Sequence, residues 1–112
     1  MVNVMEKAQA LASAIEESTE YTEYIGLLKK VQTEPELYAR LNEYRRKSFE
    51  IQVSSDVDST QQLENLQIEF SELLGEGKIS RLLSAEQVFC KMMRQINEKI
   101  MGSIEEMDIS FL

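Results

Sequence analysis

The chain contains no histidine. The commonest general base and the commonest metal ligand are therefore missing, and serine–histidine and cysteine–histidine nucleophile systems are excluded. A single cysteine, Cys90, cannot close an internal disulfide, which fits a reducing compartment, and a metal or cluster at it would need thiolates from other chains. One proline and four glycines leave little material for the many tight turns of an all-β fold. No apolar run approaches the roughly 18 residues that a membrane span needs. The first apolar residues are interrupted by Asn3, Glu6 and Lys7 and do not read as a secretion signal. These absences together point to a cytoplasmic protein without enzyme activity and without a cofactor.

Basic charge is also scarce: 12 Lys and Arg stand against 20 Asp and Glu, a net charge of −8. Direct nucleic-acid or membrane binding, which normally shows as a basic stripe, is not expected. Arg45-Arg46-Lys47 is the one basic triplet, and on a helix its members point around the cylinder. The acidity is uneven. Residues 1–52 carry 7 basic and 9 acidic side chains, and residues 53–112 carry 5 and 11. Asp56-Val57-Asp58 does not open a calcium loop, because Gln61 stands at the position that demands glycine and Gln67 at that of the bidentate glutamate.

What the chain does have is helical period. Val4, Ala8, Leu11, Ala12 and Ile15 form one apolar stripe, and after polar residues 16–20 a second follows at Tyr21, Tyr24, Ile25, Leu28 and Val31, the two belonging either to separate helices or to one bent helix. Thr33-Glu34-Pro35-Glu36 predicts a restart, with Thr33 as cap, Glu36 completing a capping box and Pro35 in the first turn. A third helix runs from about 34 to 52 on Leu37, Leu41, Tyr44 and Ile51. Residues 53–59 read as a linker, with Asp58 or Ser59 offering the next cap. A fourth helix carries Leu63, Leu66, Phe70, Leu73 and Leu74 and stops at Gly75-Glu76-Gly77, where glycine can take a left-handed cap. In the fifth, Ile79, Leu82, Glu86, Phe89, Met93, Ile96 and Ile100 alternate steps of three and four, the pattern of a long packed seam. The expectation is an all-α fold: four or five amphipathic helices in an elongated bundle, completed by dimerisation because so short a chain cannot cover every stripe. Residues 1–102 form the helical domain and 103–112 a flexible or docking tail.

Three groups of residues stand out. Glu86 occupies a core-type slot of the seam, where an unpaired carboxylate is costly, and Arg45 beside the Leu41/Tyr44 stripe is its expected partner in a structural ion pair. Tyr21 and Tyr24, with Phe111 and Leu112 of the tail, are candidate interface residues, although tyrosines at helical spacing also suit a core edge. Cys90, beside Phe89, reads as a buried or half-buried structural thiol.

The pattern resembles the YlbF/YmcA-like family of small helical bacterial proteins over roughly residues 3–101. The resemblance rests on Ala-Leu-Ala-Ser-Ala-Ile-Glu-Glu-Ser followed by Glu20-Tyr21, on Pro35 leading to Leu41-Asn42-Glu43-Tyr44-Arg45, and on Leu82-Leu83-Ser84-Ala85-Glu86 leading to Ile96 and Ile100. Arg45 and Glu86 both fall on positions that the family pattern uses. The resemblance implies a non-catalytic homodimer or a hetero-oligomer with related subunits. Better-known members act in a complex that supports biofilm formation, competence and sporulation and assists RNA processing. Some members of that complex are associated with iron–sulfur clusters, but Cys90 does not match a ligand position, so cluster binding is not carried over. The expected function is a helical adaptor or regulatory subunit acting through protein–protein contacts. The alternatives are a structural or chaperone-like helical binder and a cysteine-dependent iron–sulfur sensor subunit.

Overall fold

A computed structural model describes residues 3–54 and 57–102. The candidate interface residues Phe111 and Leu112 lie outside this range. The described residues form six helices and no strand: α1 (Val4–Glu16), α2 (Thr19–Gln32), α3 (Pro35–Val53), α4 (Ser59–Glu69), α5 (Ser71–Gly75) and α6 (Gly77–Gly102). The all-α expectation holds, and the interruptions fall where polar or turn residues predict them. No described helix is long and apolar enough to cross a membrane.

Local side-chain chemistry sets the ends. Asn3 caps α1, its Oδ1 accepting the Met5 N–H at 2.8 Å. Ser18 serves two helices at once: its hydroxyl donates to the Ile15 carbonyl at 2.6 Å and accepts the Tyr21 N–H at 3.1 Å. Thr33 does not cap α3 as the capping-box reading requires. Its Oγ1 donates backwards to the Lys30 carbonyl at 2.6 Å, closing α2, while Glu34 takes the N-cap position without a side-chain cap bond. Pro35 starts α3 where its missing N–H costs nothing.

Two expectations are corrected between residues 69 and 77. The single fourth helix is divided at Phe70, whose φ of −102° and ψ of 22° leave the helical basin and separate α4 from α5. The hydrogen-bond ladder survives the break, since the Phe70 N–H reaches Leu66 and the Leu74 N–H reaches Phe70 at 3.0 and 2.9 Å. The Phe70 ring at this break is completely buried. The left-handed glycine cap is also absent: no described residue has positive φ. Gly75 ends α5, Glu76 is extended at φ −67° and ψ 125°, and Gly77 opens α6.

The chain divides into two compact units, one comprising residues up to Tyr24 and from Ser84 onward, the other Ile25–Leu83. Helices α2 and α6 each contribute to both. The second unit holds every buried apolar side chain among the described residues: Val31, Leu41, Leu66, Phe70, Leu73, Ile79 and Leu82. There α3 packs against α4 and α5. Lys78 at the start of α6 reaches Glu34 at 2.6 Å, and this bond holds its ammonium pKa above the usual lysine value. In the first unit α1, the start of α2 and the later part of α6 come together, and none of their described residues is fully buried.

Candidate functional site

Within the first unit the seam of α6 ends as a half-covered surface. Phe89 is half-buried between two tyrosines of α2. The Tyr24 ring stacks on it at 5.5 Å with a 12° interplanar angle, and the Tyr21 ring tilts against it at 5.7 Å and 56°. Such pairs contribute roughly 0.5–1.5 kcal/mol each beyond area burial. The two tyrosines singled out for an interface thus pack on their own chain, each half-buried.

Farther along α6 the apolar row opens. Leu11 of α1 and Met92, Gln95, Ile96, Lys99 and Ile100 of α6 line a shallow groove of about 450 Å³. The α6 residues follow steps of three and four, so they share one helix face. Leu11 is 37% and Ile100 44% exposed, and Val4, Met5, Val88 and Met93 of the same unit are exposed as well. The floor of the groove is aliphatic and thioether, and its polar lining comes from one amide and one ammonium. This chemistry suits packing of an apolar side-chain row and offers no arrangement for bond breaking.

Cys90 lies on another part of α6 and is exposed, correcting the buried or half-buried reading. It borders a depression of about 460 Å³ with Glu86, Gln87, Lys91 and Arg94. The error has a simple helical cause. Phe89 takes the inward position, and the next residue is rotated about 100° away from it. Among the described residues no group of three or more cysteine, aspartate or glutamate side chains could hold a metal ion.

In the second unit a charged cluster surrounds Phe70. The Arg40 guanidinium lies 4.4 Å and the Lys47 ammonium 5.4 Å from its ring centroid, and Tyr44 tilts against it at 5.5 Å. Glu43 receives Arg40 at 3.0 Å and Lys47 at 3.4 Å, and Lys47 also reaches Glu69 at 3.3 Å. Partial burial works to raise the Glu43 pKa, but the bonds from Arg40 and Lys47 outweigh it and hold the carboxyl below its usual value. The spacing of Arg40, Tyr44 and Lys47, all on one helix face, carried the signal for this cluster, which the apolar period alone does not reveal. Beside it, Lys47, Glu50, Ile51, Ser54, Gln62, Asn65, Leu66 and Glu69 border a second groove of about 430 Å³ between α3 and α4. Lys47, the cation in its lining, is engaged in pairs with Glu43 and Glu69. Of the basic triplet, Arg45 is half-buried with its Nε shielded from solvent, Arg46 pairs with Glu50 at 3.3 Å, and Lys47 faces Phe70. They form no common patch, as their helical positions predict. Arg45 lies in the second unit and half-buried Glu86 in the first.

Fold and surface therefore define a class: a small all-helical protein with an apolar groove between helices among its described residues. The model of the family described as Control of competence regulator ComK, YlbF/YmcA, matches residues 4–105, and the chain belongs to that family. It is also 30% identical over 117 aligned positions to a UPF0342 protein of Caldicellulosiruptor bescii, the alignment covering 96% of this chain and 93% of the relative. No solved structure matches the chain.

Proposed function

We propose that this protein is a non-catalytic helical adaptor, a regulatory subunit that acts by packing the open apolar face of its first unit against another protein. The observation that carries this reading is the burial contrast along α6. Ile79 and Leu82 are fully buried, whereas Ile100, in the same three-and-four pattern, is 44% exposed. A seam whose pattern continues while its cover runs out is suited to completion by a partner helix. The family's link to control of ComK supports a regulatory setting, with competence, biofilm formation, sporulation or RNA processing as the processes served.

The partner in this reading is a second copy or a related helical subunit in the cytoplasm, and the joint surface needs to bury on the order of 1,000 Å² to be stable. Glu6 and Lys7 on α1 and Lys91, Arg94 and Lys99 on α6 border the apolar positions in sequence and supply charges of both signs for a polar rim. Tagged protein is expected to retain specific partners through a moderate-salt wash. Leu11→Asp with Ile100→Asp should abolish that retention while leaving the helical circular dichroism unchanged. Substituting Phe49, an exposed residue of α3 in the other unit, should leave it intact. Equal retention by the groove variant and the parent would remove this surface as the contact, and sedimentation as a lone monomer at tens of micromolar would remove self-association.

A further inference from the structure

We infer that α3 carries a separate contact surface, the face of Asn42, Arg46, Phe49 and Val53, and that its occupant is the same face of a second copy of this chain, antiparallel about a two-fold axis at the level of Ser48. These four residues follow one another at steps of four, three and four, so they share one side of the helix, and all four are exposed. Lys47 and Ile51, two residues to either side of Phe49, are rotated about 160° from it and border the groove towards α4, so the stripe lies on the side of α3 away from α4. Phe49 and Val53 are 65% and 62% exposed in the very unit that holds the buried core. Phe49 is the one exposed aromatic residue among those described. Helix propensity gives no reason for the pair, since phenylalanine and valine are both middling helix formers. An exposed aromatic one turn from a β-branched side chain suits packing against another helix.

Charge selects a second copy as the occupant. Arg46 lies within the stripe and Glu50 flanks it, each two residues, or about 3 Å of helical rise, to either side of Ser48. A copy turned antiparallel about that level brings Arg46 of each chain opposite Glu50 of the other, twice over, as an isologous contact requires. The two Phe49 rings then meet with about 3 Å of axial offset, close enough for an aromatic pair. A parallel copy would instead set Arg46 against Arg46 and Glu50 against Glu50. Within one chain Arg46 reaches Glu50 at 3.3 Å, with the two side chains 63% and 60% exposed. An ion pair so open to water contributes little where it stands, so exchanging it for the same pair between copies loses little. One helix face from each copy lies at the low end of specific interfaces, below about 1,200 Å², so the association is reversible and grows with concentration. It involves α3 of the second unit alone and goes beyond the reading of the first unit's groove.

Sedimentation of the full chain from micromolar to millimolar concentration tests this directly. The average mass should rise toward twice the monomer value, and Phe49→Asp, at an exposed position, should weaken the association at least about tenfold with the helical circular dichroism unchanged. A charge exchange tests the geometry. Arg46→Glu sets carboxylates against Glu50 of the other copy, and Glu50→Arg sets guanidiniums against Arg46, so each variant alone should associate several-fold more weakly than the parent. Mixed in equal amounts, the two variants oppose acid to base at both places and should regain the parent's affinity. A dye on Cys90, the single cysteine and an exposed one, lets the mixed pair be counted separately. Were Arg46 and Glu50 to matter only within their own helix, mixing would restore nothing, and that result overturns the inference. A chain that stays monomeric throughout also overturns it, as does association that Phe49→Asp leaves unchanged. Association that survives Phe49→Asp but is lost in Leu11→Asp with Ile100→Asp would assign the second copy to the first unit's groove instead. Association lost in Phe49→Asp and kept in that groove variant supports the α3 face, whatever the groove itself binds.

Discussion

Phe70 and Phe89 each sit at the centre of an aromatic cluster, one in each unit, and their surroundings differ in kind. Phe70 is completely buried, with Tyr44 tilted against it and two cations near its ring, among six other buried aliphatic side chains of its unit. Phe89 is half-buried between two half-buried tyrosines, in a unit with no fully buried residue among those described. Both arise from amphipathic helices of similar composition. The difference lies in how many elements converge: the second unit gathers α2 through α6, with α3 packed on α4 and α5, while the first has only α1 and parts of α2 and α6. One helix and parts of two others leave part of each apolar stripe uncovered, which is why the groove falls in the first unit. The second unit thus holds the buried core, and the first holds the groove with exposed apolar side chains.

The sharpest way to break this comparison is to truncate both phenylalanines. Phe70→Ala is expected to cost about 3–5 kcal/mol, because it removes a fully buried ring and strands two cations over an empty space. Phe89→Ala should cost about 1–2 kcal/mol, the value of a half-exposed ring with two aromatic contacts. Urea unfolding of the two variants gives the difference directly, and equal costs would show that the first unit is as well packed as the second.

A second pair follows one helix. Leu82→Ala, in the buried stretch of α6, should cost about 2–5 kcal/mol, and Ile100→Ala, five turns farther on, no more than about 1 kcal/mol. A large loss from Ile100→Ala in a chain shown to be monomeric would mean that the groove is already filled by the chain itself. A loss that grows with protein concentration would instead place a partner copy there.

The same contrast explains what was legible in the sequence. The sequence located the breaks near 33–34, 53–59 and 75–77 and left open whether residues 16–20 divide two helices; the break at Phe70 it missed, and that exception is informative. Nothing in the apolar spacing of Leu63 to Leu74 distinguishes a straight helix from one broken at Phe70, whose ring lies against Arg40, Tyr44 and Lys47 of α3, contacts that the spacing within one helix does not encode. The caps were half legible. Pro35 starts its helix as expected, but a threonine hydroxyl at a helix junction can serve the helix behind it as well as the one ahead, and Thr33 chose the former. For the candidate site, the seam pattern from Ile79 to Ile100 shows which residues want cover and not which ones receive it. Period is a property of one helix, and burial depends on how many others arrive.

A third test addresses the ion pair that sequence suggests between Arg45 of the second unit and Glu86 of the first. In a double-mutant cycle of Arg45→Met and Glu86→Gln, a shared interaction should appear as a coupling energy of about 0.5–3 kcal/mol. Additive losses would discard the pair and leave each side chain to a separate role in its own unit.

The smallest expected effect sharpens the comparison at its charged edge. Glu43 is held below the ordinary carboxyl pKa by Arg40 and Lys47 against the opposing influence of burial. A carboxyl depressed on folding stabilises the folded state above its unfolded pKa, and that contribution disappears as pH falls through the lower folded value. The unfolding midpoint should therefore decline between about pH 5 and 3, and Glu43→Gln should flatten part of that decline while lowering the midpoint slightly at neutral pH. The flattening is only partial. Both cations keep other partners, Lys47 on Glu69 and Arg40 on the Phe70 ring, so protonating Glu43 loosens the cluster without dispersing it. The carboxylate is also partly solvated, and salt screens such a pair, so 0.5 M salt should shrink the difference between Glu43→Gln and the parent. An acid limb identical in the two proteins would show that Glu43 does not support the Phe70 cluster, and that the stability of the second unit rests on its apolar core alone.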